Sequence, residues 1–280
     1  MQTTNESKSN IAEHPTLRRH TKITAFEASQ VLEQYRRHPS QTVSICLDGN
    51  AFGWANGNPQ TPSAGNLLAK EIKLWAEALG RKSVENLLLC YPFQQLQPYE
   101  LTEIMHALAS HFCLSESDLR VHRVVTNIDE INSDHIALLK GLGFNHYQIA
   151  LSRDDLEDLH RLKEVTELIR KYAFSGIGIQ IHDSNCLDDL RDHVIDVRNL
   201  VSPDFIYIGN RAKLLQRDMS FSGGILFDGE CELNENCIYM GLEGTSHLQS
   251  VVLQNFCTPE RYLEALQEGK LPVNHGPLNV

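Results

Sequence analysis

The stretch GIGIQIH, residues 176–182, decides the fold. Ile177, Ile179 and Ile181 alternate with Gly178, Gln180 and His182, the period of two that a β-strand imposes. A strand buried on both faces of a parallel sheet reads as an almost unbroken apolar run. This one is apolar on one face and small or polar on the other. The split recurs in HYQIAL (146–151), where Tyr147, Ile149 and Leu151 alternate with Gln148, Ala150 and then Ser152. It recurs again in VSICL (43–47), where Val43, Ile45 and Leu47 alternate with Ser44, Cys46 and then Asp48.

Three more β-rich runs complete the series: NLLLCY (86–91), LRVHRVVT (119–126) and FIYIG (205–209). Between the runs lie segments of helical period near 64–80, 98–112, 132–142, 155–172 and 187–200. Leu67, Leu68, Ile72 and Trp75 show the i, i+3/i+4 recurrence of an amphipathic helix. SESD (115–118) and TNIDEINSD (126–134) offer turn and N-cap chemistry. Strands alternating with helices predict a parallel sheet with right-handed crossovers. An open doubly wound sheet and an incomplete (β/α) barrel both satisfy that order. The shared polar face points to the second, because it lines a lumen roomy enough for ligand or water. The competing reading is an ordinary filled barrel interior with a few hydrogen-bonded polar groups.

The chain is 280 residues long and 41% apolar, enough for a sizeable core. With 36 acidic against 25 basic residues its net charge is -11, so no nucleic-acid footprint is expected. No apolar run reaches the roughly 18–20 residues that span a bilayer, so no membrane segment is expected. Residues 1–20 are expected to be a disordered, polar tail without a secretory core. Residues 21–40 hold a leading amphipathic helix, 22–37, that could cover a sheet edge or dock a protein partner. Residues 41–215 are expected to form the barrel and 216–280 a C-terminal extension. Seven cysteines without CxxC spacing suit reduced thiols and a cytoplasmic setting.

In barrels the C-terminal ends of the strands carry function. The candidate ligand-binding residues of the lumen are therefore Ser44, Cys46, Asp48, Asn50, Gln148, Ser152, Arg153, Gln180 and His182. Neither a catalytic set nor a metal set is assigned. His135, His146 and His247 lack partners at zinc-ligand spacing. Ordinary roles compete: Asn127, Asp154 and Asp183 are also natural helix caps, and a single His182 is more often a hydrogen-bonded interior residue than a ligand.

Four stretches carry a resemblance. They are LTEIMHALASHFCLSESDLRV, HIALLKGLGFNHYQIAL with RDDLEDLHRL, VRNLVSPDFIYIGN, and LFDGECELNENCIYMGLEGTSHL with TPERYLEAL. In this order, over residues 43 to about 268, they resemble the oxygen-independent coproporphyrinogen III oxidases of the radical S-adenosylmethionine group, with GLGFNHY the most specific piece. The resemblance implies a partial (β/α)6 barrel of the TIM type, which chooses between the two architectures. It also implies that the loop after the first strand should carry CxxxCxxC, three thiolates for a four-iron cluster. Those positions fall at Asn50, Trp54 and Gly57. The family's glycine-rich turn corresponds to CYPFQ (90–94), its strand-three glutamate to Val124 or Val125, its strand-four glutamine to Ser152, and its strand-five aspartate to Gly178 or Gln180. Neither cluster nor S-adenosylmethionine is therefore expected as a cofactor, while haem or a porphyrin remains a candidate ligand. The expectation is a non-catalytic barrel for binding, delivery or regulation of a tetrapyrrole or related metabolite. Two alternatives stand beside it: a radical enzyme with a rerouted cluster, drawing on Cys46, Cys90 and Cys186, and a barrel using Asp48 and His182 for acid–base chemistry.

Overall fold

The computed structural model describes residues 25–38, 40–49, 62–90, 96–117, 119–157, 159–181, 187–208, 225–227, 236–249 and 251–274. The chain runs through α1 (Ala25–Arg37), β1 (Thr42–Asp48), α2 (Ala64–Leu79), β2 (Ser83–Cys90), α3 (Pro98–His111), β3 (Cys113–Leu114) and β4 (Val121–Asn127). It continues through α4 (Ser133–Gly141), β5 (His146–Leu151), α5 (Arg153–Glu157), α6 (Leu159–Lys171), β6 (Gly176–Ile181), α7 (Leu187–Val201) and β7 (Phe205–Ile208). Last come β8 (Ile225–Phe227), β9 (Asn236–Met240), β10 (Thr245–Leu248), β11 (Val251–Gln254) and α8 (Pro259–Gln267). Among the described residues no helix is long and apolar enough to cross a membrane.

One sheet holds all these strands in the order β11-β10-β9-β1-β2-β4-β5-β6-β7-β8, with β3 attached to β2. β1, β2, β4, β5, β6 and β7 pair in parallel, the βα repeat expected from the strand–helix alternation. The sheet ends at β11 and β8 and does not close, so the barrel is a partial one. β9 runs parallel to β1, and β10 and β11 fold back antiparallel beside it. The C-terminal stretch is thus an extension in sequence but continuous with the barrel sheet in space. Its short strands escaped the sequence reading because pairing with β1 is a contact across roughly 190 residues, which no local period announces.

The face carrying Ile45, Leu47, Leu89, Ile149, Ile179 and Ile208 is fully buried beneath the helices. α2 packs closely against α3 and supplies Leu67, Leu68, Ile72 and Trp75 to that core. Its start is capped by Ser63, whose hydroxyl accepts from the Asn66 N–H. α3 starts with Pro98 in the first turn and with Glu100 accepting from the Gln97 N–H at 2.7 Å, a capping box.

α1 lies against α2 and touches β11, the end strand of the sheet. Two ties fasten it. The Tyr35 hydroxyl donates to Asn236 at the start of β9. Lys82, buried just before β2, donates its ammonium to the carbonyls of Tyr35 and His38 at the end of α1. A cation on the last carbonyls of a helix satisfies groups that lack an intrahelical partner and opposes the helix dipole. Burial lowers the Lys82 pKa from its usual range.

Glu71 interrupts the apolar stripe of α2, between Leu67 and Trp75 at four-residue steps. It is fully buried. One carboxylate oxygen accepts from Trp75 Nε1 at 3.3 Å and Asn255 Nδ2 at 3.0 Å. The other accepts from the Gly241 N–H at 3.0 Å and from the Tyr262 hydroxyl. A single carboxylate therefore joins α2 to the turn after β9, to the end of β11 and to α8. Burial pushes its pKa up to about 7, against the downward pull of those four donors.

Candidate functional site

Strand register fixes which side chains share the inner face. One row across the sheet holds Asp48, Cys90, Val125, Gln148, Gly178 and Phe205. The row nearer the N-terminal ends holds Cys46, Leu88, Arg123, His146 and Gly176. The row nearer the C-terminal ends holds Asn127, Ala150, Gln180 and Tyr207. The alternation seen in the sequence therefore corresponds to a shared face of the sheet.

Glycines in β6 shape its floor. A Cβ on Gly178 would fall inside the Phe205 ring, and one on Gly176 would strike the His146 ring. The space those hydrogens leave is filled by neighbouring rings. Over Phe205 sits the Arg123 guanidinium, 4.3 Å from the ring centroid. Arg123 of β4 thus meets a ring carried by β7. The two glutamines bond to each other, Gln148 Nε2 donating to Gln180 Oε1 at 2.7 Å. Near the other side, Asn86 donates to the Ser44 hydroxyl at 3.3 Å.

At the mouth, the Tyr239 hydroxyl of β9 donates to Asp48 Oδ2 at 2.5 Å. Burial, and then the Asp48 charge, push the Tyr239 phenol far above its usual pKa, so it stays a donor. Cys46 stands one row below Asp48 on β1, and Cys90 stands beside Asp48 at the end of β2. The neighbouring Cys90 thiol, and then burial, raise the Cys46 pKa.

Of the residues expected to line the lumen, Ser44, Cys46, Asp48, Gln148 and Gln180 fall on the inner face. Ser44, Cys46 and Gln148 are buried there. Ser152 is exposed and caps α5, its hydroxyl and N–H both donating to Asp155 Oδ2 at 2.6 Å. Arg153 opens α5. Asn50 and His182, with Trp54, Gly57 and Cys186, lie outside the described residues. Sequence reading missed Arg123 and Tyr239. Arg123 had a usable signal, since it shares its parity with Val121 and Val125 on a strand whose partners were read correctly. Tyr239 had none, because its strand was not recognised.

The resemblance implies a four-iron cluster, and the thiols among the described residues form no set for one. Cys237, Cys46 and Cys90 stand one to a strand on β9, β1 and β2, stepped diagonally, so Cys237 and Cys90 are far apart. Among the described residues no three His, Cys, Asp or Glu side chains are grouped to hold a metal ion. The loop after β1 supplies no sulfur either, since residues 49–61 contain no cysteine.

No family model and no curated protein matches this chain. Among solved structures it is similar to the coproporphyrinogen III oxidase HemN of Escherichia coli, described as a radical SAM enzyme. The two are 13% identical, with a TM-score of 0.62 over 89% of this chain and 74% of that one. SuiB of Streptococcus suis is 11% identical with a TM-score of 0.43, over 79% of this chain and 58% of that one. The YdjI aldolase of Escherichia coli is 10% identical with a TM-score of 0.42, over 86% of this chain and 85% of that one. The first of these carries the comparison: this chain has the open α/β barrel fold that HemN has.

Proposed function

We propose that this chain is a binding barrel, a relative of the coproporphyrinogen oxidases in fold that holds a tetrapyrrole or related metabolite without transforming it. One observation carries the proposal. A HemN-like barrel is present, while the positions that would hold three cluster thiolates are Asn50, Trp54 and Gly57. An amide, an indole and a hydrogen cannot replace sulfur as iron ligands in such a cluster. The inner face supports binding instead: paired glutamines, an arginine over an aromatic ring, and a phenol–carboxylate pair at the mouth. Haem or a porphyrin is the ligand class proposed, delivery or regulation the role, and α1 a surface for a protein partner.

Two titrations test this. Protein reconstituted anaerobically with iron and sulfide should gain no cluster absorption and should not cleave S-adenosylmethionine. Coproporphyrin added to the purified chain should shift its main absorption band with one-to-one stoichiometry. Stoichiometric iron–sulfur with cofactor cleavage would overturn the proposal, as would porphyrin absorption unchanged by the protein.

A further inference from the structure

Solvent reaches the inner face of the sheet more than the face beneath the helices. On β4 the inner residues Val121, Arg123 and Val125 are half-buried, while His122, Val124 and Thr126 between them are buried. Leu88 on β2, Gln180 on β6 and Tyr207 on β7 are half-buried too. A small molecule can therefore touch these side chains without opening the core.

One of them is a cation. Along its strand Arg123 has Val121 and Val125 for inner-face neighbours, and across the sheet it has Leu88 and His146, so none of these four adjoining positions holds an acid. Its guanidinium rests on the Phe205 ring, 4.3 Å from the centroid. That ring in turn lies on Gly178, where any Cβ would collide with it. Glycine weakens a strand interior and marks a place where another group approaches closely. β4, β6 and β7 thus each give one residue to the seat of a single positive charge. The seat also holds that charge away from the acid of the same face. Asp48 is on β1, two strands from β4, or about 10 Å along the sheet. Tyr239 holds Asp48 from β9, on the side remote from β4, while Phe205 engages Arg123 on the side of β7.

A guanidinium seated on a ring face keeps in-plane N–H donors around its rim, more than one neighbour takes, in a fork that matches a carboxylate. The chain as a whole carries a net charge of -11 and repels anions over its surface. A half-buried cation on the inner face of an open barrel reverses that locally. We propose that Arg123 is the anion-recognising residue of the inner face and takes a carboxylate of the ligand in a charge-assisted hydrogen bond. The proposal rests on the reading of this chain as a binding barrel, and it narrows the ligand to molecules that bear an acidic side arm.

The test is arginine labelling of the intact parent chain by phenylglyoxal, read by peptide mass spectrometry. Coproporphyrin and the small tricarboxylate tricarballylate are the two probes. Arg123 should be labelled in the free chain and slowed at least about fivefold by either probe at saturation, with exposed Arg37 unchanged. Arg123→Gln should weaken binding of both probes at least about tenfold, Arg123→Lys should restore part of it, and Arg37→Gln should change neither. An Arg123 that phenylglyoxal does not reach in the free chain would overturn the site. So would labelling that neither probe slows, or an Arg123→Gln chain that binds as tightly as the parent. The labelling arm uses the parent sequence, so it decides the matter even if a variant fails to fold. Protection by tricarballylate with no coproporphyrin bound would sink the porphyrin reading and leave the carboxylate site standing. A coproporphyrin absorption shift without protection of Arg123 would do the reverse.

Discussion

Glu71→Gln changes one atom of the carboxylate that joins α2 to the C-terminal strands, and its consequence depends on pH. The folded-state pKa is raised to about 7 from an ordinary value of 4.5. A raised carboxyl pKa means that the folded state holds the proton better than the unfolded one. The resulting stabilisation is complete below the unfolded value and is lost as pH rises through the folded one. At 1.36 kcal/mol per unit, the wild-type chain gains about 2–3 kcal/mol from this group between about pH 8 and pH 5. Glutamine does not titrate and gains nothing. It also leaves one of the two donor pairs, Gly241 N–H with Tyr262 or Trp75 with Asn255, facing an amide NH2. An orphaned buried donor costs about 1–3 kcal/mol at either pH. Chemical denaturation of both proteins at the two pH values separates the contributions. The stability gap should widen by about 2–3 kcal/mol at the acid end, over and above the constant hydrogen-bond loss. A gap independent of pH, or one that grows toward alkaline pH, would refute the assignment of a neutral Glu71 to the acid form of the fold.

His122 should show the opposite dependence: buried on β4, its pKa is lowered to about 4 by burial and then by Arg120, so its stabilisation is present above the unfolded value of 6.5 and lost as pH falls toward the folded one. His122→Gln should therefore flatten acid destabilisation by about 2 kcal/mol across that window, checked by the same denaturation series. Because Glu71 and His122 oppose each other over nearly the same range, the wild-type profile should be flatter than that of either variant. Gly178→Ala should destabilise by about 1–3 kcal/mol through displacement of the Phe205 ring and its Arg123 stack, read as a lowered melting temperature. Tyr239→Phe removes the donor to Asp48; if the mouth holds the ligand, coproporphyrin affinity should change at least threefold while the melting temperature moves by only a few degrees.

The six core strands, the helices between them and the polar inner face were legible along the chain. Side-chain alternation and helical recurrence are local periods, and burial on one face writes them into consecutive residues. That residues 49–61 contain no cysteine was legible too, since a loop motif is a matter of adjacent residue types. What the tertiary structure alone decided are the contacts between distant segments. β9 beside β1, Tyr239 on Asp48, Arg123 over Phe205 and the four donors on Glu71 each join residues with no shared period. Glu71 makes the point most clearly. As a sequence it is a charge misplaced in an apolar stripe, and only the packing of α8 and β11 against α2 supplies the donors that let a carboxylate be buried there.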